Sequence, residues 1–320
     1  MKNPKINQMD RRNFMKKSMV AGAFSFAAGR TILGSTGIEA KKNRIYQEEK
    51  EPFKLKYAPG FGAFRHLGGD NWKDRLKFMS DQGFTAMFDN SLMDKPPLQQ
   101  EEIAKLMDQL GMTLGPFVLY ADFNVESFVL DNAGVREMLV NRMKEGIETA
   151  KRTNARWALV VPGRYNQRME WDYQTANVIE NLRMCSEIMQ KEEIILVIEP
   201  LNPHDHPGLF LTRMPQAYSI CRAVNNPSCK IIDDIYHQQI TEGNLIPNID
   251  RSWSEIASFH VGDTPGRNEP TTGEINYRNI FKHLYEKKYT GVICMEHGIS
   301  QSGPEGEKIL LEAYRTVDDF

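Results

Sequence analysis

Apolar residues along this chain fall into short runs that alternate with longer stretches at helical spacing. Trp157-Ala158-Leu159-Val160-Val161 and Ile194-Ile195-Leu196-Val197-Ile198 are nearly continuous, the pattern of a parallel strand buried on both faces. Before the first of them, Asn132 to Thr153 carries Val135, Met138, Leu139, Met143, Ile147 and Ala150 at the period of one helix face. The same reading gives strands at 53–58, 86–88, 112–120, 230–232, 256–261 and 291–295. Helices are predicted at Asn71–Gln82, from Pro96-Pro97 to a stop at Gly111, and from about Tyr173 to Gln190. Three more cover Pro215–Val224, Tyr277–Lys287 and a last stretch from Glu305. Eight strands separated by helices, with no long unpatterned insert, predict an α/β fold, a closed (β/α)8 TIM barrel forming a single domain over 53–320. An open doubly wound sheet is the alternative, but Gly60-Phe61-Gly62-Ala63-Phe64 is not a phosphate-binding GxGxxG.

Four of these strands deliver polar residues at their C-terminal ends, where a barrel places its chemistry. The fifth runs into Glu199, the sixth into Asp233-Asp234 with His237 three residues on, the seventh carries His260, and the eighth meets Glu296. A carboxylate desolvated after an apolar run must be paired, metal-bound or neutral. Glu199, Asp234, His260 and Glu296 on neighbouring strands therefore suggest one shared divalent cation. A mostly hard donor set suits Mn²⁺ or Mg²⁺, with Co²⁺ or Zn²⁺ also compatible. Taken singly, each residue is as readily a capped or salt-bridged strand end, and only the joint pattern argues for a site. The strand at Ile256–Val261 leads into Asp263-Thr264-Pro265-Gly266-Arg267, a turn that brings Arg267 forward.

The tract DTPGRNEP with GEINY, the segment IEPLN, the Asp234-x-x-His237 spacing and the strand-borne Glu296 together resemble the hydroxypyruvate isomerase branch of the xylose isomerase-like TIM barrels. The resemblance covers about 53–320 and is densest from Ile194 onward. It implies a metal-dependent isomerase or epimerase in which Glu199 and Glu296 are both ligands and the two proton-transfer groups. His260 stands where hydroxypyruvate isomerases often carry glutamine, as in the sugar epimerases. The chemistry is proton transfer beside a carbonyl through an enediolate, with a sugar or small hydroxy-keto acid as substrate. Elimination from a keto-glycoside shares the same first step, and a catalytically silent sugar-binding barrel is the non-enzymatic alternative.

His237 and Arg267 are candidates for substrate binding, the arginine through its planar fork, and His66 after the first strand is a further one. Glu274 reads as a helix cap, His204 and His206 as a rim or lid, and His283 as a surface residue.

Composition narrows the partners. The 320 residues are 41% hydrophobic and 26% charged, enough for a large core. Lys+Arg 40 against Asp+Glu 42 leaves a formal charge of -2, with no basic excess for nucleic acid. That balance and only 7 histidines argue against a multi-zinc endonuclease. The expected partner is a small carbohydrate or keto-acid, with a homo-oligomer left open. Cys185, Cys221, Cys229 and Cys294 lack CxxC spacing and read as small buried hydrophobes, Cys221 and Cys229 included. At the N-terminus, Arg11-Arg12 followed by the apolar stretch Met19 to Ala28 matches a twin-arginine signal over 1–30, too short for a membrane span. A charged linker over 31–52 follows, and the expected location is the periplasm.

Overall fold

The computed structural model describes residues 50–320. The expected signal segment and the linker up to residue 49 lie outside the described residues. Residues 50–52, still within the expected linker, are already tied to the barrel: the Lys50 N–H donates to Asp81 O, and Arg315 donates to Glu51 O at 2.9 Å.

Nine strand segments follow in order: β1 (Lys56–Ala58), β2 (Ala86–Met87), β3 (Thr113–Leu114), β4 (Phe117–Ala121), β5 (Trp157–Val161), β6 (Ile195–Ile198), β7 (Cys229–Asp234), β8 (Ile256–Val261) and β9 (Val292–Met295). All pairings between them are parallel, in the order β1-β9-β8-β7-β6-β5-β4, with β2 beside β3. The ring closes where the Phe61 N–H donates to Phe88 O and the Phe88 N–H to Pro59 O. The third barrel strand, expected unbroken over 112–120, is split into β3 and β4 at Gly115-Pro116. Pro116 has no N–H to give the ladder. At Gly115 a Cβ would sit 2.8 Å from Phe88 Cβ, so only glycine lets the two strands approach so closely.

Helices on the outer face follow their signals closely. Asn132 caps Ala133–Thr153 by accepting from the Val135 N–H at 2.8 Å, and Asn154 ends that helix in the left-handed region. Two helices were not foreseen, Ile235–Thr241 and Leu245–Ser252. Asp234 starts the first by accepting from the Tyr236 N–H, so a strand end serves directly as helix cap. The buried Tyr57, Phe281 and Tyr314 pack ring to ring at 5.0 Å between strands and helices. Among the described residues, no helix is long and apolar enough to cross a membrane.

Candidate active site

The C-terminal ends of β6 to β9 are the fifth to eighth barrel strands, and they bring Glu199, Asp234, His260 and Glu296 together. One donor atom from each lies within 4.8 Å of all the others. His260 Nδ1 stands 2.8 Å from Glu199 Oε1 and 3.3 Å from Glu296 Oε2. Its Nε2 is buried with no hydrogen-bond partner. Parallel register explains the convergence: Asp234 pairs with His260 across β7 and β8, and His260 with Cys294 across β8 and β9.

Arg267 enters the same cluster. Its Nη2 lies 2.7 Å from Glu296 Oε2 and 3.2 Å from Asp234 Oδ2, and its guanidinium stacks over the Tyr236 ring at 4.7 Å. Asp263 does not reach the cluster. Buried, it accepts from the backbone N–H groups of Thr264, Gly273 and Ile275, clamping the loop that presents Arg267. A Cβ at Gly273 would meet Thr264 O at 2.0 Å, so the clamp depends on glycine there.

His237 is also drawn in, its Nε2 3.4 Å from Asp234 Oδ2 and its Nδ1 2.6 Å from Asn202 Nδ2. His66 is not. Its ring is exposed, and its backbone N–H donates to Glu307 of the last helix at 3.0 Å. Nor does Glu274 cap the helix Tyr277–Glu286: Asn276 does, accepting from the Asn279 N–H, while Glu274 accepts from Gln239. His283 lies in that helix as expected, partnered with Asp250 at 2.9 Å.

Electrostatics differ between the two glutamates. Burial pushes Glu199 up to about 7, opposed by the neighbouring His260. Burial acts on Glu296 in the same sense, but His260 and Arg267 outweigh it and hold Glu296 well below the usual carboxylate range. The opposite directions follow from the contacts, since Glu199 meets one cationic partner and Glu296 two. Burial lowers His260, yet the charges of Glu296 and Glu199 carry it well above the usual imidazole range.

The donor set fits a divalent cation. Three carboxylates and one imidazole offer ligand atoms within 4.8 Å of one another, and an ion there would take the place of the proton that makes His260 cationic without it.

Residues 76–317 match the family described as xylose isomerase-like TIM barrel. The chain belongs to that family. Among its relatives, hydroxypyruvate isomerase from Escherichia coli is 39% identical over 122 residues, 38% of this chain. That match spans about half of the relative's length, 47%. Two solved structures share the fold: a family 2 AP endonuclease from Brucella melitensis and 3-keto-D-glucoside 4-epimerase from E. coli. The first has a TM-score of 0.68 at 20% identity, covering 79% of this chain and 96% of its own. For the second the TM-score is 0.67 at 16% identity, over 82% and 99%.

In this member of the family, two residues touching the cluster went unforeseen. Asn90, just past β2, donates from Nδ2 to Glu296 Oε1 at 2.6 Å, and Asn202, just past β6, meets His237. Both occupy strand ends, the same signal that marked the carboxylates, but a neutral amide after an apolar run raises no desolvation alarm.

Three loops at this end are knitted together. Residues 122–130 after β4, 162–170 after β5 and 199–213 after β6 are joined by the antiparallel bridges Glu126–Gly163 and Arg164–Leu209. The Arg164 N–H donates to Val125 O at 2.9 Å and the Tyr165 N–H to Gly208 O at 3.1 Å. His206, foreseen as a rim residue, sits in this fabric with His204.

Proposed function

We propose that this chain is a divalent-metal-dependent isomerase or epimerase acting on a sugar or small hydroxy-keto acid through an enediolate. One observation carries it, the convergence of Glu199, Asp234, His260 and Glu296 within 4.8 Å. Similarity to hydroxypyruvate isomerase supports the reaction class, and His260 supports the epimerase side. These four residues would hold the ion. When bound, a divalent cation there supplies Lewis acidity to a carbonyl oxygen beside the labile C–H.

The chain's own groups do the rest. Glu199, with Oε1 taken by His260 at 2.8 Å, removes the carbon-bound proton as a carboxylate through its other oxygen, and its raised proton affinity suits it to hold that proton. Glu296, oriented by Arg267, faces the same space and delivers a proton taken up from solvent to the neighbouring carbon, or to the opposite face of the same one, while Glu199 gives its proton up to solvent. Arg267 and His237 donate to substrate oxygens, and Asn202 fixes the His237 ring. Elimination from a keto-glycoside would use the same first proton removal and diverge at leaving-group loss.

The test is solvent deuterium incorporation next to the carbonyl across a ketose and keto-acid panel. Exchange is expected. A protein that binds such compounds yet exchanges no carbon-bound proton would be the silent sugar-binding barrel instead. Export by the twin-arginine route belongs to the same reading, motivated by Arg11-Arg12 and the apolar stretch after it. Replacing both arginines by lysine should trap the protein in the cytoplasm, and unchanged export would refute the route.

A further inference from the structure

Arg267 and Glu296 sit just past the ends of β8 and β9, where the strand ladder no longer sets the spacing of the chain. Arg267 has a φ of 49°, in the left-handed region that non-glycine residues seldom adopt and that persists where the surroundings hold it. Main-chain bonds hold it on two sides. The Asp263 N–H donates to Asn268 O at 2.8 Å and the Gly298 N–H to Arg267 O at 2.9 Å. A third restraint comes from Glu269, a fully buried carboxylate whose two oxygens are both taken by Ser300. The Ser300 N–H donates to Oε2 at 2.8 Å and its hydroxyl to Oε1. No lysine or arginine pairs with this carboxylate among the described residues, so those donors alone offset its desolvation. Residue 267 thus meets 298 and residue 269 meets 300. The parallel pairing of β8 with β9 is carried past the strands, with a side-chain carboxylate accepting where the next main-chain carbonyl would.

We propose that Glu269 is a positioning residue for the Arg267–Glu296 pair, fixing through Ser300 the separation of the two loops that carry them. That separation lets Arg267 Nη2 reach Glu296 Oε2 at 2.7 Å and Arg267 Nε reach Glu296 O at 3.3 Å. The legs of the staple are short. Glu269 follows Arg267 by two positions and Ser300 follows Glu296 by four, so a slip between the loops passes to the pair with little slack. The inference concerns the geometry of the cluster, and it rests on the isomerase or epimerase reading only for its consequence in turnover.

The experiment is NMR measurement of solvent exchange at the Arg267 Nε–H in the ¹⁵N-labelled protein, with Arg267→Lys identifying the signal. The Arg142 Nε–H, which donates to Leu119 O of β4 at 2.6 Å, is the internal control. Glu269→Ala should speed exchange at Arg267 by about 5- to 10-fold, the scale of one lost hydrogen bond, and leave Arg142 unchanged. Glu269→Gln should restore the wild-type rate, because its amide offers an oxygen to the Ser300 N–H and its NH2 to the hydroxyl oxygen. Ser300→Ala, at an exposed residue, removes one of the two donors and should give a smaller acceleration in the same sense. It carries the test if Glu269→Ala does not fold. Unchanged exchange at Arg267, equal acceleration at Arg142, or a glutamine as damaging as alanine would overturn the proposal. In turnover, Glu269→Ala should slow solvent deuterium incorporation, and should slow it no further when added to Arg267→Ala; a fully additive loss would count against the proposal. Failure of the parent reading looks different: wild type exchanges no ketose or keto-acid, while the NMR comparison still decides the role of Glu269.

Discussion

The two ends of the barrel differ in what their polar residues are attached to. At the strand starts, a cavity of about 1130 Å³ is lined by Lys56, Arg156, Glu192, Glu193, Lys287 and Lys288 among others. It is roomy, yet its charges end flexible side chains at the protein surface. At the strand ends, Glu199, Asp234 and His260 are buried, and their donors point at one another. Volume therefore does not locate the chemistry. Desolvated charge does, because holding several carboxylates together away from water is unfavourable unless a cation joins them.

The largest expected effect lies at the strand ends. Glu199→Gln and Glu296→Gln each keep an oxygen for the metal but lose the proton-transfer group. Deuterium exchange should fall by about 10²- to 10⁴-fold while metal content by atomic absorption stays near stoichiometric. Loss of metal in both variants would move these residues from chemistry to scaffolding. Next comes Asn90→Ala. Removing the donor that holds Glu296 should weaken metal affinity by about 10- to 100-fold, read by competition with a chelating dye. An unchanged affinity would mean that Arg267 alone positions the carboxylate. The smallest effect is expected at the opposite end, where Arg156→Ala combined with Lys288→Ala should change stability by about 0.5 kcal/mol or less and leave exchange unaltered. A large loss of exchange there would dissolve the contrast between the two ends.

Much of this was legible in the sequence, for a physical reason. Strands buried on both faces write themselves as apolar runs, and a carboxylate closing such a run is conspicuous because desolvation is costly. That is how Glu199, Asp234 and Glu296 stand out. Features resting on backbone geometry do not. The break at Gly115-Pro116 hides inside an apolar run, and the helices Ile235–Thr241 and Leu245–Ser252 are too short to display a period. Asp263 shares the turn that delivers Arg267, and nothing in the sequence separates a carboxylate that meets substrate from one that clamps its own loop's N–H groups. Conversely, His66 sits after a strand as the others do, but Glu307 holds its loop outward from the far end of the chain.

The knitted loops have an evolutionary consequence. The four clustered residues lie at the ends of β6 to β9, whereas the fabric over them is stitched by main-chain bonds between segments after β4, β5 and β6. Insertions or exchanges in that fabric can reshape the mouth without shifting a single strand register below. The shape of the mouth and the arrangement of the cluster are thereby under separate selection, and a lineage can change what enters while the clustered side chains stay where they are.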